Sequence, residues 1–214
     1  MELWPNYLSL PEHLGNIYFH GSRKERKIAL TYDDSLSEET LGLLKLLKKF
    51  NIKATFFIEG KRIEGRENIL KKIKKDKHEI GNHTFSHKSL LFKSKKFIED
   101  EIEETDKLLG IKTKIMRPPY LRIGFNAYNV CKKLGKKIVY CDAISHNWRL
   151  KGVEYAVDNV LRKTRNGSII NMHDYLENIG RNKDIIEITK RAIIELKKRH
   201  YKFITISNLL EKCL

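Results

Sequence analysis

No stretch of this chain is apolar for long enough to cross a bilayer, which takes about 20 residues in a helix. Cysteine is scarce: Cys131, Cys141 and Cys213 are an odd number without paired spacing. That excludes a disulfide framework and a zinc ribbon and predicts buried free thiols. The first residues, Met1-Glu2-Leu3-Trp4-Pro5-Asn6, lack a basic flank followed by an apolar stretch. A cytoplasmic location is therefore expected. Acidic residues are outnumbered, 27 Asp and Glu against 43 Lys and Arg, for a net charge of +16. Such a balance directs attention to nucleic acid, anionic lipid or a phosphate-bearing polymer. The lysines recur along the whole chain, however, and are not interleaved with aromatics as a base-stacking surface requires. They read as solvated helix faces. No specific nucleic-acid partner is expected, and an anionic lipid surface is the partner the charge leaves open.

What is present is the material of a folded domain. Of 214 residues, 41% are hydrophobic, enough for one substantial core. Residues 1–26 carry Pro5, Pro11, Gly15 and Gly21 and read as an irregular lead-in packed through Trp4, Tyr7, Tyr18 and Phe19. Residues 27–214 read as the domain proper. There, short apolar runs alternate with amphipathic stretches. Strands are predicted at 28–32, 53–58, 78–81, 114–117, 137–141, 168–172 and 201–205. Helices are predicted at 38–50, 67–76, 94–109, 126–134, 153–164, 183–199 and 207–213. Ser94 is the expected N-cap of the third helix and Gly110 its stop. About seven strand–helix units imply an α/β fold with a parallel sheet, and closure into a barrel is expected. Catalytic groups should then sit where strands end and loops begin.

Three segments carry chemistry. Ile28 to Tyr32 is an apolar run that ends in Asp33-Asp34, and adjacent buried carboxylates need a cation beside them. His83-Thr84-Phe85-Ser86-His87 places two imidazoles four apart, able to face one ion if the segment is helical or tightly turned. Asp34, His83 and His87 are thus the metal-ligand candidates. No Glu follows His83, so the segment is not a metalloprotease helix, and Asp33 is the neighbour placed to act as base. In Arg117-Pro118-Pro119-Tyr120 two prolines stiffen the backbone and present the Arg117 guanidinium, a partner for Asp33. Ser168 to Asp174 is a strand that ends in His173.

Taken in order, these segments resemble the polysaccharide deacetylases of the NodB-homology type, carbohydrate esterase family four. The matching residues are Thr31-Tyr32-Asp33-Asp34, His83 to His87, Arg117-Pro118-Pro119-Tyr120, Asn147-Trp148 and Ile170-Asn171-Met172-His173. The resemblance implies a distorted (β/α) barrel and one divalent metal, usually Zn²⁺, held by Asp34, His83 and His87. It implies Asp33 as base, Arg117 as its orienter, the Tyr120 backbone N–H as an oxyanion donor and His173 as acid. Trp148 and Ile170 would wall a pocket for the acetyl methyl. The activity implied is removal of N-acetyl groups from an amino sugar in a glycan, oligosaccharide or lipid-linked sugar. The alternatives are a deformylase or other amide hydrolase on the same scaffold, or a non-catalytic glycan- or nucleic-acid-binding protein. The chain departs from the family pattern at Ser35-Leu36, Leu121 and Asn147; either Asp142 or Asp174 takes the place of the missing carboxylate near His173, or His173 is a weaker base than is usual in the family.

Overall fold

A computed structural model describes residues 12–145, 148–176, 180–181 and 184–211; for 148–151, 175–176 and 180–181 it describes the backbone alone. The strands are β1 (His13–Leu14), β2 (Ile17–Tyr18), β3 (Lys27–Asp33), β4 (Thr55–Ile58), β5 (Glu79–Asn82), β6 (Ile115–Met116), β7 (Lys137–Val139), β8 (Ala143–Ile144), β9 (Ile169–His173), β10 (Tyr175–Leu176), β11 (Gly180–Arg181) and β12 (Lys202–Ile204). The helices are α1 (Glu38–Lys49), α2 (Glu67–Lys75), α3 (Lys95–Leu109), α4 (Phe125–Lys133), α5 (Trp148–Lys163), α6 (Ile185–Lys198) and α7 (Ile206–Leu210). None is long and apolar enough to cross a membrane.

One sheet runs β1-β2-β7-β6-β5-β4-β3-β9-β8, with β12 beside the first half of β3 and β4 beside its second half. Only β1 and β2 pair antiparallel in it; β10 and β11 form a separate small hairpin. The sheet curls into a half-barrel with helices packed outside it, the distorted barrel that the resemblance implies. Residues 12–26 are less irregular than expected. Their hairpin joins the sheet, because β2 lies parallel to β7 through Ile17–Ile138 and Tyr18–Val139.

A parallel strand covered on both faces reads as a continuous apolar run, and β3 does. Ile28, Leu30 and Tyr32 face the layer between sheet and helices, with Leu43, Leu47, Ile188 and Ile193. Ala29 faces the concave side, with Val139, Cys141 and Ile169. Truncating one such side chain, Leu30→Ala for example, removes about 2–5 kcal/mol. The helix ends follow local chemistry. Ser37 and Thr40 form a capping box that starts α1. Ser94 accepts from the Phe97 N–H at the start of α3, and Gly110 ends it at φ 63, where a side chain is disfavoured. Cys131 and Cys141 are buried free thiols; burial pushes each up to about 12. Cys213 lies outside the described residues.

Candidate metal and acid–base site

Residues that end β3, β5 and β9 converge at the carboxyl edge of the sheet, as expected for a parallel α/β fold. β3 stops at Asp33, and Asp34 adopts a left-handed backbone at φ 57. A strand alternates its side chains, so an extended continuation would send the two carboxylates to opposite faces. The turn keeps both at the strand end. Asp34 Oδ1 lies 3.4 Å from His83 Nε2 and 3.3 Å from His87 Nε2.

The segment from His83 to His87 is a tight turn, not a helix. Thr84 (φ 66) and His87 (φ 55) are left-handed, and this brings two imidazoles four residues apart onto one point. The turn is held from three sides. The Gly60 and Lys61 N–H groups donate to the carbonyls of Thr84 (2.9 Å) and Phe85 (3.0 Å). Asn82 Oδ1 accepts from the Thr84 N–H at 2.8 Å. From α3, Glu101 accepts from the N–H groups of Phe85 and Ser86 and from the Ser86 hydroxyl. Gly60 has a steric reason to be glycine: a Cβ there would lie 2.7 Å from the Thr105 hydroxyl and 2.8 Å from the Phe85 ring.

His83 Nδ1 lies 2.7 Å from the Arg117 carbonyl. A carbonyl only accepts, so Nδ1 carries a hydrogen and donates it there, which leaves Nε2 as the ring nitrogen turned to Asp34. A carbonyl behind the ring is the usual outer support of a metal-binding imidazole. One ligand atom each from Asp34, His83 and His87 lies within 4.8 Å of the others, a set suited to a small divalent cation. Asp34 Oδ1 is buried and accepts no hydrogen bond, which is costly unless a cation completes it. Burial pushes the Asp34 carboxyl up, but contact with His83 and the charges of His83, His173 and His87 hold it well below the usual range.

Beside the triad, Arg117 is fully buried and donates from all three of its side-chain nitrogens. Nη1 donates to Asp33 Oδ1 and to Thr31 Oγ1, both at 2.7 Å. Nε donates to the Val139 carbonyl at 3.2 Å and Nη2 to the Tyr140 carbonyl at 3.1 Å. Its guanidinium also sits over the Phe57 ring, 4.2 Å from the centroid. Asp33 Oδ2 accepts from Asn171 Nδ2 at 3.0 Å, and His173 Nε2 stands 3.9 Å away. The Tyr120 ring packs against His87, with centroids 4.9 Å apart.

Of the residues picked from the sequence, Asp33, Asp34, His83, His87, Arg117, Tyr120 and His173 are gathered here. Ile170 is not, and that expectation is corrected. In β9, Ile169, Asn171 and His173 share one face while Ile170 and Met172 share the other. Ile170 is fully buried between sheet and helices, so it lines no pocket. Trp148 opens α5, and its side chain lies outside what the structure describes, as does Asn147 altogether. Asp142 is engaged at the far end of β9, by Arg23, Ser168 and the Ile169 N–H, four residues from His173. Asp174 turns to the start of α1, towards Ser37 and Thr40. Two residues of the site were missed. Asn171 had a signal, since it sits two before His173 on a strand. Glu101 had a weaker one, a carboxylate on the inward stripe of a helix with Ile98, Ile102 and Thr105.

The fold and the gathered groups define a class: an α/β half-barrel with a carboxylate–imidazole ligand set and an Arg-held carboxylate at its strand ends. The profile of the polysaccharide deacetylases matches residues 20–139, and the chain belongs to that family. The peptidoglycan-N-acetylmuramic acid deacetylase PdaA of Bacillus subtilis (strain 168) is 31% identical over 204 residues, 90% of this chain and 74% of that protein. A peptidoglycan-N-acetylglucosamine deacetylase of Bacillus cereus is 30% identical over 205 residues, 93% of this chain and 95% of that protein. A solved peptidoglycan N-acetylglucosamine deacetylase, in complex with 4-naphthalen-1-yl-N-oxidanyl-benzamide, superposes with a TM-score of 0.85 at 29% identity. It covers 91% of this chain and 92% of that one.

Proposed function

We propose that this protein is a metal-dependent hydrolase that removes N-acetyl groups from an amino sugar of a glycan, with a peptidoglycan-type strand as the substrate its relatives' names suggest. The observation that carries the reading is Asp34, His83 and His87 converging beside an Arg-held Asp33. Asp34, His83 and His87 would hold one divalent cation, Zn²⁺ by the mixed carboxylate and imidazole character of the set. Bound there, such an ion supplies Lewis-acid activation of the amide carbonyl and of water.

The chain's own groups do the rest. Asp33 takes a proton from the attacking water, and Arg117 on Oδ1 and Asn171 on Oδ2 keep its carboxylate aimed. His173, on the same strand face as Asn171, gives a proton to the departing amine nitrogen. The Tyr120 backbone N–H donates to the oxygen that gains charge. Trp148 is proposed for the wall beside the acetyl methyl. The test is incubation of the Zn²⁺-loaded protein with free and lipid-linked N-acetylated and N-formylated amino sugars, measuring acetate and formate. Acetate release that Asp33→Asn abolishes supports the reading. Release of formate alone assigns a deformylase and contradicts it.

A further inference from the structure

Two segments without a single Asp or Glu, Phe85 to Ile98 and Arg117 to Lys133, meet in a loop tip. Asn126 Nδ2 donates to the Lys93 carbonyl at 2.9 Å, and a Cβ on Gly124 would lie 3.8–3.9 Å from Leu91 and from the Phe92 nitrogen. The tip carries two apolar rings in water, Phe92 at 99% exposure and Phe125 at 79%. Phe92 adopts φ 58, a left-handed backbone that a bulky residue rarely takes. At that exposure both faces of its ring stand clear of the protein. An aromatic that serves as a stacking platform rests on the surface and offers one face. A ring held off the surface is shaped for insertion into something soft and apolar. The same two segments expose the cations Lys88, Lys93, Lys95 and Arg122. Exposed phenylalanines give the folded chain nothing by themselves, and a cluster of them rimmed by charge marks a contact surface.

We propose that this tip is a membrane-docking surface, and that its partner is the face of a bilayer containing anionic phospholipid. Phe92 and Phe125 enter the boundary between headgroups and acyl chains, where they leave water. Lys88, Lys93, Lys95 and Arg122 stay at headgroup level and meet the phosphates. The two parts depend on each other. Two rings alone hold a neutral bilayer weakly, and exposed cations alone let go as salt is raised. The lack of acidic residues in both segments suits an anionic surface, and a neutral partner would have no use for it. A net charge of +16 draws the chain to any polyanion, but among the described residues the exposed phenylalanines are both at this tip. Docking is a binding event of its own and does not rest on the deacetylase reading. Tyr120, in the second segment, packs against His87, so a docked tip sets the strand-end site close to the headgroups.

The experiment is sedimentation of the full chain with sucrose-loaded vesicles, of phosphatidylcholine alone and with about 30% phosphatidylglycerol. The anionic vesicles should bind it more tightly. Raising salt from about 0.1 M to about 0.5 M should weaken that binding without abolishing it, because the rings are not screened. Phe92→Ser/Phe125→Ser should weaken binding about tenfold, and Lys93→Gln/Arg122→Gln by a similar factor. Lys71→Gln/Lys72→Gln removes the same charge from exposed positions of α2, outside both segments, and should change binding less than about twofold. In Phe92→Trp, emission measured against wild type should shift to the blue on anionic vesicles and be quenched by lipids brominated in the acyl chain. Unchanged binding by the phenylalanine variant overturns the proposal. So does an equal loss in the two cationic variants, which would assign the attraction to net charge alone. A shift of the Phe92→Trp emission with chitin hexamer and none with vesicles would assign the tip to sugar instead. A concentration-dependent dimer that the phenylalanine substitutions abolish would assign it to self-association, and either result contradicts membrane docking.

Discussion

Two clusters of buried charge among the described residues, one beneath α3 and one at the strand ends, differ in what they leave over. Beneath α3, Lys136 Nζ donates to Asp106 Oδ2 at 2.6 Å, to Thr113 Oγ1 at 2.8 Å and to the Thr113 carbonyl at 2.9 Å. Asp106 accepts further from Asn82 and Thr113. Three ammonium hydrogens find three acceptors, so the cluster is complete as it stands. At the strand ends the count does not close. Asp34 Oδ1 is buried without a hydrogen bond, and Nε2 of His83 and of His87 face the same point. A closed cluster serves the fold, while an open one is built to receive something. A cation between the carboxylate and the two imidazoles closes it.

The sharpest way to break the comparison is to remove one charge from each cluster. Within the open one, Asp33→Asn should lower kcat by about 10²–10⁴-fold while cation binding persists, read by steady-state kinetics and a Zn²⁺ titration. Asp34→Ala should weaken cation binding by more than about 100-fold. Lys136→Met should do the reverse. It strands Asp106, costs about 3–5 kcal/mol in a denaturant melt and leaves Zn²⁺ affinity in place.

Smaller effects concern protons. Burial, aided by the charge of Lys53, pushes the His78 imidazole down to about 4, and its Nδ1 accepts from the Ala54 N–H at 3.1 Å. The unfolded chain takes up that proton near pH 6.5, the folded chain only near 4. This contribution is therefore present above about pH 6.5 and is lost as pH falls towards 4, on the order of 2 kcal/mol. Asp174 runs the other way. Burial pushes its carboxyl up to about 6, so its contribution is full below about pH 4 and is lost as pH rises through 6. Denaturant melts from pH 4 to 7 should show the acid-side loss reduced in His78→Gln and the loss between pH 4 and 6 reduced in Asp174→Asn. The smallest expected change is Ser94→Ala, which removes the N-cap of α3 at 3.2 Å from the Phe97 N–H. It should cost about 1 kcal/mol in the same melts.

How legible this was depended on the range of the interaction. Runs such as Ile28 to Tyr32 and stripes such as Ile98, Ile102 and Leu109 carry their periodicity locally, and β3 and α3 emerged within a residue or so of expectation. β1, β2, β8, β10 and β11 are two residues each, too short for any period, and exist because a neighbouring backbone lies alongside. α5 begins before the predicted 153–164, its first turn meeting the rest at a kink where Gly152 adopts φ 77. The site followed the same rule. Asp33, Asp34, His83, His87 and Arg117 lie in compact motifs. Ile170 was misplaced by counting along the motif instead of along the strand, whose two-residue period puts Asn171 on the face of His173. Glu101 comes from another helix and shows its purpose only when Phe85 and Ser86 are folded against it.

The most direct test is calorimetric titration of Zn²⁺ into metal-free wild type, Asp34→Ala and Asp33→Asn. One ion per chain should bind to wild type and to Asp33→Asn, and none at comparable affinity to Asp34→Ala. Undiminished binding by Asp34→Ala would contradict the account, because the carboxylate at its centre would then not be holding the ion.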